Sequence, residues 1–524
     1  MRIEKFPYHQ TKSFSTFIVD YLSADERLVP YYNREATLGN FKAQIQEKQK
    51  QSINRKVLVE VLQEQYQEIE TTALVNDHIT SLSQENTFTV ATGHQLCLFT
   101  GPLYFIYKII STINLAETLK SEYPEFNFVP IYWMATEDHD FEEVNHVNLF
   151  GKKLEWKQEQ KGGVGAIPTE TLKSVFEELK PILGNSKEAE ELYSLFSEAY
   201  LEHTDLATAT RYLVNVLFAK YGLVILDADA PRLKQEAISL IKKDILEQSN
   251  QPLIEASNKG LGKVQAFVRP INFFYLQKGS RNRIEQKGSQ FVVLGTDLKL
   301  SKDDLEREIE NHPERFSPNV LLRPLYKELL LPNLAMIGGG AEVNYWMQLK
   351  STFEANGIVF PILILRNSAL IIDRKSSEKI EKLGFSISDF FDKEEDLHKS
   401  YLKSSTELDL SIESELAQLG VLFDAIASKT TDKGLQASVQ SEKQKQIKVI
   451  KKIEQKLRKA EKQKHQISLS QISQLKNKLF PNNCLQERFD NIIPFYLIYG
   501  DEFIELLKKE LNPLEQKFTL FIDE

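Results

Sequence analysis

Two β-prone runs, residues 87–91 and 128–134, bracket a stretch in which Tyr104, Tyr107, Lys108, Ile110, Ile113 and Leu115 recur at helical spacing. A strand, a helix and a second strand in that order form a βαβ unit, whose crossover helix makes the two strands parallel. Both runs end in chemically loaded residues. The first leads into Thr92-Gly93-His94-Gln95 and then Gly101-Pro102-Leu103-Tyr104; the second leads into Thr136-Glu137-Asp138-His139-Asp140. Open parallel sheets bind ligands beyond the carboxyl ends of their strands, so both endings are expected at one site.

Further buried strands are expected at 222–227, 334–337 and 359–365, which extends the parallel sheet. Residues 13–85 read as helical, with Leu38, Phe41, Ile45, Val57, Val61 and Ile69 among Gln, Glu and Lys. The blocks from about 151 to 200 and from about 235 to 315, with Gly162, Gly163, Gly260 and Gly262, break the alternation and read as insertions. From residue 376 glycine becomes rare and Lys, Glu, Gln and Ser dominate. Leu408, Ile412, Leu416, Leu419, Phe423 and Ile426, and then Ile450, Ile453, Leu457, Ala460, Lys464 and Ile467, step by threes and fours. Two long helices in an antiparallel coiled-coil hairpin are expected. The last forty residues turn aromatic again (Phe489, Phe495, Tyr496, Tyr499, Phe503) and are expected to fold back on the core.

At 524 residues the chain calls for two or three domains. A formal charge of −9 gives no global basic field for nucleic acid. The Lys-rich stretch 443–464 is interleaved with Glu and Gln at heptad spacing and reads as a solvated coiled-coil face. Two cysteines, Cys97 and Cys484, are too few for a disulfide framework. No signal-like apolar run opens the chain and no stretch approaches a membrane span, so a soluble cytoplasmic protein is expected.

Each candidate site residue carries a bland alternative. Gly93 lets backbone approach a ligand, and His94 can donate to a phosphate or take a proton; the alternative is a tight turn with a satisfied histidine. Crowding Glu137, Asp138 and Asp140 with His139 is costly unless a cation, a substrate amine or a proton neutralises them. They can hold an ammonium, act as general base or, with His146, ligate a divalent metal; the alternative is an acidic helix start. No third histidine or cysteine completes a familiar metal spacing, so no metal site is assigned. Asp227 and Asp229 follow a strand and read equally well as a helix cap. Gly338-Gly339-Gly340-Ala341-Glu342 invites close backbone approach, with Glu342, Tyr345 and Trp346 as pocket walls. Arg323, after Asn319, and Arg366 with Asn367 can pair with a substrate carboxylate or form structural salt bridges. Cys97 sits among Leu96, Leu98 and Phe99 and reads as an inert buried thiol. Neither a GxxxxGK[ST] loop nor a GxGxxG fingerprint is present, which argues against a P-loop NTPase or an ordinary NAD enzyme.

Taken together, TGHQLCLFTGPLYFIYK, VPIYWMATEDHDFEEVNHV, YGLVILDAD, FSPNVLLRPLY, IGGGAEVNYW and LQERFDNIIPFYLIYGDEFI resemble the bacillithiol biosynthesis cysteine-adding enzyme family, from near the N-terminus to about Phe518. The resemblance implies an α/β, Rossmann-like parallel-sheet core related to class I aminoacyl-tRNA synthetases, with inserted connecting segments and a C-terminal α-helical coiled coil used for dimerisation. The expected domains are a core over 1–375, a coiled coil over 376–484 and a returning segment over 485–524. The implied activity adds L-cysteine to the amine of glucosaminyl-malate, with ATP as the co-substrate that activates the carboxyl. On that reading His94, Glu137, Asp138, His139 and Asp140 are the catalytic candidates. Thr92, Gly93, Gln95, Gly101, Tyr104, Lys108, Asn319, Arg323, Gly339, Glu342, Tyr345, Trp346 and Arg366 are the binding candidates. The chain does not spell HIGH, and Lys375-Ser376-Ser377 is a poor match to KMSKS. The rival expectations are another nucleotidyl- or glycosyl-transferring enzyme on the same fold, or a coiled-coil scaffold with a vestigial pocket.

Overall fold

The computed structural model describes residues 1–159, 162–262, 264–405 and 411–524. They divide into two compact units. The larger comprises residues 4–370 and 486–519; the smaller comprises 371–485 with 1–3 and 520–524.

Five strands form the central sheet of the larger unit: β1 (Thr87–His94), β2 (Asn127–Met134), β3 (Val224–Asp227), β4 (Asn333–Gly338) and β5 (Ile362–Leu365). Their spatial order is β5-β4-β1-β2-β3, and every neighbouring pair is parallel. The first six residues of β1 are all buried, as is β2 from Phe128 to Met134. A strand covered on both faces reads as a continuous apolar run, which is why these runs stand out in the sequence. Helix Tyr104–Glu122 joins β1 to β2 and packs on both. Phe88, Val90, Leu115, Leu119, Phe128, Leu334, Ile337, Ile362 and Ile364 form one continuous core cluster.

Register brings the strand ends to a common rim. Gly93 lies opposite Trp133 and His94 opposite Met134. Ile337 pairs with Thr92, and Gly338 with Leu365. The chain runs outward from β1 through β2 to β3, then returns to the other flank of β1 to lay down β4 and β5. The direction therefore reverses between β1 and β4, and a crevice at such a switch point is where open α/β sheets bind ligands.

The expected helical stretch over residues 13–85 resolves into four short helices, Thr16–Leu22, Phe41–Lys48, Arg55–Gln65 and Ala73–Ser81. The first insertion is mostly helical (Lys173–Leu183, Lys187–Leu201). The second holds a five-stranded antiparallel sheet built from Phe273–Gln277, Ser280–Lys287, Gln290–Val293, Lys299–Ser301 and Phe316–Pro318. Its strands were hard to read because Ser280–Lys287 buries only Arg281 and Ile284.

In the smaller unit, helix Glu413–Ala427 packs antiparallel against helix Lys433–Lys464, with the Asp424 carboxylate accepting from Lys443 (2.8 Å) and Gln440 (2.9 Å). The hairpin is less even than the expected pair of long helices: one arm has 15 residues and the other 32. At 1.5 Å per residue the longer arm reaches about 48 Å. The expected seam position Leu408 lies outside the described residues. No helix among the described residues is long and apolar enough to cross a membrane.

Candidate active site

A cavity of about 350 Å³ opens at the switch point. Gly93, His94 and Gln95 reach it from the end of β1, Asp138 from the loop after β2, Gly339 and Glu342 from the end of β4, and Arg366 from the end of β5. Tyr104, Lys108, Arg323 and Tyr345 complete the wall from the neighbouring helices. Eleven of the residues singled out by the sequence thus share one hollow.

Lys108 ties the two sides of the switch point together. Its Nζ lies 2.5 Å from Glu342 Oε2 and donates to the Gly93 carbonyl at 2.8 Å. The same Glu342 oxygen accepts the backbone N–H of Gly339 at 2.8 Å. Glu342 therefore caps the helix Gly340–Met347, where a carboxylate is favoured by the helix dipole. The side chain of Lys108 is 4% exposed, so this pair is shielded from solvent on the lysine side.

His94 stacks on Phe105 (5.0 Å between ring centres) and meets Tyr104 edge-on at 5.3 Å. Burial first, then the nearby charges of Lys108 and Arg366, push its pKa well below the usual 6.5. The imidazole is neutral at physiological pH. Cys97 Sγ lies 3.7 Å from His94 Nε2, but burial raises that thiol to about 12, which fits the inert reading.

Asp138 is set between cations. Arg323 reaches Oδ2 at 3.5 Å and Arg281 reaches Oδ1 at 3.9 Å, while the His139 backbone N–H donates to Oδ1 at 2.8 Å. Burial opposes ionisation, but the hydrogen bonding from His139 and the two guanidiniums outweigh it and hold the carboxyl far below its ordinary range. Arg281 is itself fixed by Ser317 Oγ (3.0 Å), the Pro318 carbonyl (2.8 Å) and the Phe274 ring beneath it (4.1 Å). The loop carrying Asp138 is pressed by the residue 163–165 turn: Val164 donates to the Asp138 carbonyl and Gly165 to the Thr136 carbonyl. A Cβ on Gly165 would lie 2.8 Å from Thr136 Cβ, so only glycine allows that approach.

Arg366 is not a free carboxylate receptor. Its guanidinium donates to Glu487 Oε1 (2.7 Å), the Asn367 carbonyl (2.8 Å) and Ser368 Oγ (3.0 Å), and it lies over the Tyr104 ring at 5.1 Å. Its buried Nε makes no hydrogen bond. Glu487 is fully buried and also accepts from the Ala369 N–H. Next to it, Arg488 lines the cavity, and Asn491 Nδ2 holds the carbonyls of Phe99 and Gly101. Residues 486–491 are thus part of the site, and their sequence, without apolar periodicity, assigned them no role.

The other candidates lie elsewhere. Thr92 is buried against the Ile337 carbonyl, and Gly101 sits in the turn beneath Tyr104. Glu137 pairs with buried Lys234 at 2.7 Å, and Lys234 lies 3.4 Å from Asp229. Burial and the neighbouring Glu137 and Asp227, opposed by Lys234, raise Asp229 to about 7. His139 is half-exposed with Nδ1 3.0 Å from Arg281, and Asp140 is exposed. Asn319 caps the turn at Leu321 and Leu322 and lines a different cavity, beside Arg269 and Arg283. Trp346 lines a smaller hollow next to the main one. Among the described residues no group of three His, Cys, Asp or Glu side chains is placed to hold a metal ion.

Comparison with known proteins matches this arrangement to one family across both units. A relative from Flavobacterium psychrophilum named "Putative cysteine ligase BshC" is 44% identical over 98% of this chain and 98% of its own length. Relatives of the same name from Flavobacterium johnsoniae (44%) and Christiangramia forsetii (43%) match over the same shares of each chain. Residues 1–367 match the family described as bacillithiol biosynthesis BshC, N-terminal Rossmann-like domain, and residues 369–522 match its C-terminal coiled-coil domain. With a parallel sheet whose crevice gathers the conspicuous strand-end residues, and with full-length relatives at this identity, the chain belongs to the BshC family of bacillithiol biosynthesis enzymes.

Proposed function

We propose that the cavity joins the carboxyl of L-cysteine to the amine of glucosaminyl-malate after ATP has activated the carboxyl. The observation that carries this reading is the convergence of His94, Lys108, Asp138, Arg323 and Glu342 on one hollow at the switch point. In the bond-forming step the amine nitrogen attacks the activated carboxyl carbon, a C–N bond forms, and the phosphate-bearing group leaves with the electron pair of the broken C–O bond. The amine must lose a proton; His94, the imidazole in the wall, takes it only in passing it on to solvent, since burial beside Lys108 and Arg366 keeps the resting ring neutral. Asp138, locked as an anion, is a poor proton carrier; its role is to hold Arg323. Arg488, in the cavity wall, supplies positive charge for the malate carboxylates, with the paired Lys108 and Arg366 behind it.

The reading also includes dimerisation through the coiled coil and a cytoplasmic setting, to which two cysteines outside any disulfide are suited. The test is mass spectrometry of the product from cysteine, glucosaminyl-malate and ATP. A thiol-bearing amide is expected, and His94→Ala should lower its rate by about a hundredfold or more. A different transferred group would point to another transferase on this fold, and no binding of ATP or glucosaminyl-malate would point to a scaffold.

A further inference from the structure

Beside the main cavity lies a slot of about 60 Å³. Gly93, Arg323 and Glu342 line both hollows, so the slot adjoins the cavity at these residues. Away from the cavity its walls are Pro324, Lys327, Met336 and Trp346. The slot is continuous with the main cavity, so it can take a short side chain while the rest of the molecule lies in the larger hollow.

One wall is cationic. Lys327, 5% exposed, projects from helix Arg323–Leu330 with its Nζ 4.5 Å from the centre of the Trp346 ring. The nearest carboxylate oxygen, Glu328 Oε1, is 3.7 Å away, beyond hydrogen-bond length, and already accepts from Asn333 Nδ2 at 2.8 Å. Lys327 has three N–H donors and one close carboxylate neighbour, so it can also donate to an acceptor that enters the slot.

We propose that this slot receives the side chain of the amino-acid substrate and that Lys327 discriminates the thiol from an apolar side chain of the same size. The inference rests on the cysteine-ligase reading and deepens it. A CH2–SH group is short enough to enter the slot. Its polarisable sulfur is suited to the aromatic and thioether walls, and it accepts from the ammonium. At the mouth, Glu342 and Arg323 offer opposite charges to the α-ammonium and α-carboxylate, leaving the carboxyl facing the main cavity. Replacing the thiol by methyl removes the acceptor and sets carbon against the ammonium.

The experiment is product formation by the full-length enzyme with ATP and glucosaminyl-malate, offered L-cysteine, L-2-aminobutyrate or L-homocysteine. For Lys327→Met the cysteine preference over aminobutyrate, as a ratio of kcat/KM, is expected to fall by roughly tenfold or more, with the KM for glucosaminyl-malate unchanged. Trp346→Phe, which enlarges the slot, is expected to raise homocysteine use by roughly tenfold, a gain that only a folded enzyme gives. Ratios within twofold of wild type in a folded Lys327→Met enzyme would overturn the slot assignment. If that variant does not fold, unchanged homocysteine use by Trp346→Phe overturns it. Wild-type enzyme that forms no cysteine adduct overturns the ligase reading itself, whereas an adduct with unaltered ratios overturns the slot alone.

Discussion

A histidine buried beside Lys108 and Arg366 is a poor place for a third positive charge, and that fact governs how this site should respond to pH. The unfolded chain binds a proton at His94 below about 6.5, while the folded chain does not. Stability from this residue is therefore complete above pH 6.5 and declines as pH falls toward the depressed folded pKa, by up to about 1.4 kcal/mol per pH unit. Urea unfolding of wild type and His94→Gln between pH 7.5 and 5 should show a shallower decline in the variant; equal slopes would mean that His94 is protonated in the folded state. The Arg366–Glu487 pair makes a different prediction. Glu487→Gln leaves a buried guanidinium without its counter-charge, and breaking such a pair costs about 3–5 kcal/mol. Denaturation at neutral pH should record that loss, together with weaker binding of glucosaminyl-malate, because Arg366 lines the cavity. Arg366 could be singled out in the sequence because it ends an apolar run. Glu487 could not, because the pairing joins positions 121 residues apart and nothing local to Glu487 announces it.

At the scale of elements, the turn between β1 and its following helix is built around a glycine that no other residue replaces. Gly101 has φ +64°, and a Cβ there would stand 2.5 Å from Cys97 Cβ. Gly101→Ala combines left-handed strain with a clash in a buried loop, a loss of about 2–5 kcal/mol. Its midpoint in urea should drop accordingly, and product formation should fall with it, since Tyr104 and Lys108 are carried by the helix that starts just beyond. The βαβ core was legible because its strands are buried on both faces and end abruptly in Gly93-His94 and Glu137-Asp138, a contrast local to the sequence. The antiparallel sheet over residues 273–318 was not. Ser280–Lys287 buries two residues three positions apart, and one of them is Arg281, held by Ser317, Pro318 and Asp138, so the pattern lacks the apolar alternation that marks a strand. The acidic run shows the same limit: spacing put five residues in one group, whereas the fold sends Glu137 inward to Lys234, Asp138 into the cavity, and Asp140 outward.

For the whole molecule, the question is what covers the long arm of the coiled coil. Helix Glu413–Ala427 is less than half as long as Lys433–Lys464, so it cannot shield the full seam. Val449, Ile453 and Leu457, each about half exposed, follow one another at four-residue steps and so share one face of the long helix. An apolar stripe on a helix that is otherwise rich in Lys, Glu and Gln is stable in water when a second stripe meets it, and a second copy of the chain brings an identical stripe in a closed two-fold pair. The dimer proposed above should therefore depend on this face. Sedimentation velocity is expected to find wild-type protein at twice the 60.4 kDa chain mass and Ile453→Glu/Leu457→Glu at the single-chain mass. Wild-type protein at 60.4 kDa would remove the dimer from the reading. Product formation separates assembly from chemistry. The residues lining the cavity belong to the larger unit and the seam to the smaller, so the single-chain variant should turn over within about twofold of wild type. A far larger loss would mean that the paired arm acts on the site, a role that the lining of the cavity gives no reason to expect.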